Sequence, residues 1–274
     1  MKIKLIPYLL FIVTLHFSAF ANQPDSAATI SAFKDAIEIA KNGQLEKALK
    51  IQLTIQNDLL AVNYEEYLNC LNQISQYYLR LGEMSEAKLY ADKAYRLSDK
   101  HLPQKAQSLQ VIGFIHITLG TFENAIQNLQ ESIDIIENQI DNPQPLNLAN
   151  SIQILGTAYK NNGENRKAIE LFKKSIEIKL KNFGADFPGL ASTYIELGNA
   201  HTNLGRYDEA LRSINLSIAI NVKNNLATAY SSYQAGVVYS LNYEFNRAIE
   251  SYRSAISENS SNANPDQLLT ANCL

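Results

Sequence analysis

One stripe of polar and aromatic side chains is the pattern in this sequence whose residue types and spacing suggest chemistry. It runs Asn72, Gln73 and Gln76, then Gln107, Gln110 and Phe114, then Asn150, Gln153, Thr157 and Asn161. Glu196, Asn199 and Asn203 continue it, and Tyr230, Tyr233 and Gln234 complete it. A carboxamide both donates and accepts, so a ladder of them can hydrogen-bond an extended peptide backbone without demanding its sequence. Phe114, Tyr230 and Tyr233 would add apolar pockets. The competing reading is a plain solvated surface in an Asn-rich protein. No catalytic constellation stands beside the stripe: there is no phosphate-cradling Gly-rich loop, no nucleophile elbow and no metal-spaced His pair. His116 and His201 take the place that Tyr78, Tyr159 and Tyr239 hold elsewhere. That suits an inter-helix ring with a polar tip rather than a ligand or a proton carrier. Neither enzymatic activity nor a metal or cofactor is expected.

The elements that must position this stripe are paired helices. In the stretch 190–218, Tyr194, Leu197, His201 and Leu204 recur at helical spacing and so share one face. Gly205 fits a left-handed cap, where a side chain would cost energy. Tyr207, Ala210, Leu211, Ile214 and Ile218 then build a second apolar stripe. Gly198 and Ala210 are the small residues that let two such helices approach. The same unit recurs. Gly43, Gly82, Gly120, Gly163 and Gly205 each precede, by five residues, Ala48, Ala87, Ala125, Ala168 and Ala210. Tyr243 replaces the Gly in a sixth copy that reaches Ala248. Successive Ala separations are 39, 38, 43, 42 and 38 residues.

These copies resemble the tetratricopeptide repeat. The second copy carries Leu71, Ile74, Ser75, Tyr78, Gly82, Ala87 and Ala94, and the fourth carries Ile152, Leu155, Gly156, Tyr159, Gly163, Ala168 and Phe172. The resemblance covers residues 29–258, and its long spacing and the lead-in Asp186-Phe187-Pro188 look most like the variety in kinesin light chains. It implies an all-α fold, a right-handed superhelical solenoid of helix-turn-helix repeats. It also implies that the first helices line a concave groove where a protein or extended peptide docks. The groove residues would be Gln73, Gln76, Gln110, Phe114, Gln153, Thr157, Asn161, Asn199, Asn203, Tyr230 and Tyr233. Some relatives hold a chaperone's C-terminal carboxylate with a Lys/Arg/Asn clamp. Here only Arg80 and Lys160 are basic on the stripe, in copies that are not adjacent, so that ligand is not expected. The first copy has Asp35 where later copies have Ile or Leu, which suits a capping repeat. Asp141-Asn-Pro-Gln-Pro145 reads as a rigid loop within the array.

Residues 1–21 look like a secretory signal: Lys2 and Lys4, an apolar run from Leu5 to Phe17, and the small-x-small site Ala19-Phe20-Ala21. Its removal would change the formal net charge from −3 to −5, and no basic run points to nucleic acid or to anionic membrane. No later stretch is apolar enough to span a membrane. Residues 22–28 read as a disordered leader and 259–274 as an incomplete C-terminal segment. Cys70 and Cys273 form no disulfide framework and no metal cluster. The expectation is a non-enzymatic exported scaffold, periplasmic or secreted. The alternative is the extracytoplasmic sensory domain of a truncated membrane signalling protein, of histidine kinase or diguanylate cyclase type.

Overall fold

The computed structural model describes residues 24–260 and 267–273; the expected signal segment lies outside them. Among the described residues every regular element is a helix. They fall into two compact units, one ending at Gln104 and one beginning at Lys105. The first holds α1 (Ser26–Lys41), α2 (Leu45–Val62), α3 (Tyr64–Leu81) and α4 (Met84–Leu97). The second holds most of α5 (Leu102–Thr118), then α6 (Phe122–Asp134), α7 (Pro145–Asn161) and α8 (Asn165–Phe183). It continues with α9 (Gly189–Asn203), α10 (Tyr207–Lys223), α11 (Ala229–Leu241), α12 (Phe245–Ser260) and α13 (Gln267–Cys273). A π-helical turn, Ile135–Gln139, prolongs α6, and a loop to Gln144 leads into Pro145 at the first position of α7, where a missing N–H costs nothing.

The five-residue step from Gly to Ala has a backbone cause. Gly163 adopts φ 84°, the left-handed turn that ends α7. The next residue, Glu164, donates its N–H back to the Tyr159 carbonyl at 2.8 Å. The carbonyl of the same Glu164 then accepts from Ala168 at 3.1 Å, the first bond of α8. One residue thus closes one helix and opens the next. Gln44, Glu83, Thr121, Arg206 and Glu244 do the same in the other copies. The Ala reached by this bond is buried every time.

Each helix pair closes on a small residue set against its partner. A Cβ on Gly156 would sit 2.7 Å from Cε1 of Phe172, and one on Gly113 would sit 2.6 Å from Leu129 Cγ. Gly198 opposes Ile214 and Gly236 opposes Tyr252 in the same register. The second copy is built from small residues instead: Ser75 stands at the Gly place, its Oγ donates to the Ala87 carbonyl at 2.6 Å, and Ala91, also buried, takes the register of Phe172.

The sixth copy departs from the glycine rule. Tyr243 holds φ 61° while its side chain is 81% exposed, so the left-handed backbone is strained with little packing in return. Tyr243→Gly is expected to stabilise the protein by about 1 kcal/mol, read as a higher urea midpoint at unchanged slope. At the N-terminus, residues 26–28 of the expected leader are helical, because Asp25 caps α1 by accepting from the N–H groups of Ala27 and Ala28. At the other end, residues 257–260 extend α12. Leu269 of α13 is buried, and Asn259 donates to Thr270 Oγ1 at 2.9 Å.

Candidate functional site

Within the second unit the first helices of three successive copies, α5, α7 and α9, are tied side by side. Gln110 on α5 donates to Ser151 Oγ at 2.7 Å and to the Asn147 carbonyl at 3.3 Å, both on α7. Gln153 on α7 reaches Ser192 Oγ on α9 at 3.4 Å. Lys160 on α7 pairs with Glu196 on α9 at 2.7 Å. In the first unit the equivalent residue, Asn72, is buried and donates to the Gln104 carbonyl at 3.2 Å. The stripe was expected to hold out free amides. At this register, ten residues before the turn glycine, it instead holds amides that staple one first helix to the next. The reason is spacing: a carboxamide there reaches the first two turns of the following first helix, where it meets a carbonyl that can accept a second bond and, in α7 and α9, a serine hydroxyl.

The remaining expected residues divide in the same way. Gln73 is half-buried and accepts from the buried Gln52 at 2.7 Å, and Gln76 is half-buried on the next turn. Thr157 donates to the Gln153 carbonyl within its own helix, and Asn203 donates to Asn165 at 3.0 Å. Phe114, Asn161 and Tyr230 are exposed, and Asn199 and Tyr233 are half-buried. Tyr230 and Tyr233 lie 6.4 Å apart between ring centroids, and Gln234 donates to the Tyr230 hydroxyl. Gln110→Ala should cost about 1–2 kcal/mol in a urea melt, because it unties α5 from α7 and takes a donor from the buried Ser151 hydroxyl.

The row of ties changes after α9. The register that holds Gln110 and Gln153 holds Ile195, and then Tyr233, and here a cleft of about 320 Å³ opens. Ser192, Ile195 and Glu196 of α9, Asn221 of α10 and Tyr230 of α11 line it. Its floor carries Ser217 and Ser231, whose hydroxyls meet at 3.1 Å. Ser192 and Asn221 were not among the expected residues. Ser192 sits thirteen residues before its glycine, the register of Gln107, Asn150 and Tyr230, so copy-by-copy alignment would have found it.

Beneath this face lies Lys179 of α8, 1% exposed. Its Nζ donates to Gln153 Oε1 at 2.6 Å, to Thr193 Oγ1 at 2.9 Å and to the Gly189 carbonyl at 3.0 Å. Three neutral oxygens and no carboxylate surround it, and burial pulls its pKa down to about 8. His201 is buried with Nδ1 unpartnered, and burial lowers its pKa too, so the ring is neutral at pH 7 and serves packing. Both thiols are free; that of Cys70 is pushed up to about 12 by burial and is inert. No group of His, Cys, Asp or Glu able to hold a metal occurs among the described residues.

Models of the tetratricopeptide repeat match residues 68–101, 104–181 and 190–213. The chain is 22% identical over 201 residues to the RxLR effector protein SFI4 of Phytophthora infestans, covering 72% of this chain and 58% of that protein. It is 23% identical to the secreted RxLR effector protein RXLR-C07 of Plasmopara halstedii, covering 73% and 65%. The chain thus spans less than two thirds of the length of these relatives. Similar solved structures include a putative kinesin light chain of Podospora anserina with nearly identical TPR-like repeats (TM-score 0.54, 19% identity, 74% of this chain and 99% of that one). The APC/C assembly Cut9–Hcn1 gives a TM-score of 0.68 at 17% identity, over 90% of this chain and 43% of that one. A Rap protein complexed with Competence and Sporulation Factor gives 0.65 at 14%, over 84% and 68%.

Proposed function

Since the chain is built of tetratricopeptide repeats, we propose that it is a non-enzymatic scaffold that binds an extended protein segment, with the cleft between α9 and α11 as its docking point. The carrying observation is the cleft itself. It opens where the inter-helix ties give way, and it is lined by hydroxyls, an amide and the 53% exposed Tyr230. Charge is sparse there: Glu196 is already paired with Lys160, so the surface suits a near-neutral segment held by main-chain hydrogen bonds and an aromatic contact. The similar Rap fold was solved with Competence and Sporulation Factor bound, in keeping with a binding role for such an array. The positively charged start, apolar run and Ala-Phe-Ala site of residues 1–21 support a working place outside the cytoplasm.

The test is a photo-crosslinking amino acid at Tyr230 in the native compartment, followed by titration of the trapped segment against purified protein. Asn161→Ala with Asn199→Ala should weaken that binding while moving stability by no more than about 0.5 kcal/mol, since Asn161 is exposed and Asn199 is only half-buried. Normal binding by this double variant together with an early melt would remove the stripe from the site. Crosslinks that trap no segment able to bind the purified protein would remove the reading as a whole.

A further inference from the structure

We infer that Lys179 is a positioning residue of this cleft: its buried ammonium fixes the Gln153 carboxamide so that Nε2 faces Ser192, leaving the Ser192 hydroxyl to donate into the cleft. The inference rests on the reading of the cleft as a peptide site. An ammonium has three donors and no acceptor, so whatever meets it must present oxygen. Gln153 therefore turns Oε1 toward Lys179 at 2.6 Å, and its Nε2 points the other way, to Ser192 at 3.4 Å. Thr193 enforces the same sense. Its oxygen accepts from Lys179 at 2.9 Å, and its hydrogen goes to Gln153 Oε1 at 2.7 Å. Ser192 accepts from Gln153, so its own hydrogen is directed elsewhere, and Ser192 lines the cleft. One buried cation thus sets the direction of a chain of hydrogen bonds that ends at the surface, and such chains polarise one another.

The corresponding place in the other second helices, eleven residues after the repeat Ala, holds Leu59, Ser98, Ile136, Asn221 and Asn259, so the device occurs once. The group it would receive is an acceptor. With Glu196 of the same cleft already paired to Lys160, no free charge there calls for an ionic partner, which leaves an uncharged carbonyl of the kind a peptide main chain carries.

The experiment uses the full chain in solution, labelled with carbon-13 and nitrogen-15. A through-hydrogen-bond coupling between Lys179 Nζ and Gln153 Cδ is expected in the wild type. In Lys179→Met the Gln153 side-chain amide resonances should shift. With N-methylacetamide as the probe, the response of the Ser192 backbone amide seen in the wild type should be lost in that variant. An absent coupling, or Gln153 and Ser192 signals that respond alike in both proteins, would overturn the inference. Should Lys179→Met not fold, the wild-type coupling decides by itself. Because it is read in the free protein, the Gln153 orientation is tested separately from the peptide reading, which a missing partner at Tyr230 would sink.

Discussion

Phe172→Ala is expected to cost about 3–5 kcal/mol, the largest loss of any single truncation in the second unit. Phe172 is among the largest fully buried side chains, and its ring fills the space that the missing side chain of Gly156 leaves. The hole left by removing it cannot be closed from the other side, because Gly156 has nothing to extend into it. The reverse change has the opposite fault. Gly156→Ala brings a methyl within 2.7 Å of the ring, so α7 and α8 must part or the ring must leave its rotamer, at about 1–3 kcal/mol. The pair should also be coupled: Gly156→Ala combined with Phe172→Leu should cost less than the two single changes added together. Urea denaturation followed by circular dichroism measures all three. Strict additivity, or a Phe172→Ala cost under about 1 kcal/mol, would mean that the two helices do not close on this contact.

The second large effect is a pH dependence carried by Lys179. An ordinary lysine titrates near 10.4, whereas burial holds this one down to about 8. Below pH 8 both folded and unfolded chains carry the proton, and the cost of the buried charge is present in full. Between about 8 and 10 the unfolded chain keeps the proton and the folded chain has lost it. Stability then rises with pH, since the unfolded state binds more protons. Over those two units the gain is about 2–3 kcal/mol relative to a variant without the amine. Wild type and Lys179→Met should therefore be compared at pH 7 and pH 10, and the difference between their unfolding free energies should move in favour of wild type. The variant is the necessary reference because burial raises the pKa values of the Tyr194 and Tyr252 phenols, and those act in the opposite sense at the top of this range. A difference that stays flat with pH would show that Lys179 is not held as a buried ammonium.

The repeat architecture was legible because its cause is local. A glycine, one residue that closes a helix and opens the next, and an Ala at the first bond of the new helix are bound together by backbone geometry. That geometry writes itself into a fixed five-residue step from Gly163 to Ala168 and in every other copy. Gly198 and Ala210 were legible as the small residues of a close helix contact, though only the structure set Gly198 against Ile214 and Gly113 against Leu129.

The fate of the polar stripe was a different kind of question. An amide on a helix surface looks the same in sequence whether it faces solvent or a neighbouring helix about forty residues away. Asn72, Gln110 and Gln153 read as open ligand-binding groups, and the structure uses them to hold first helices together. Lys179 was harder still. It is one of six Lys and Arg residues in α8, and nothing in its neighbours marks it as the one that is buried. Register gave a hint, since Leu59 and Ile136 stand at the same place in other copies. What the sequence determined by itself was the helix pair, its turn and its repetition, which follow from bonds within a few residues. Which polar groups remain free for a partner was decided only when successive pairs packed, because hydrogen bonds to a distant helix compete there with bonds to a ligand.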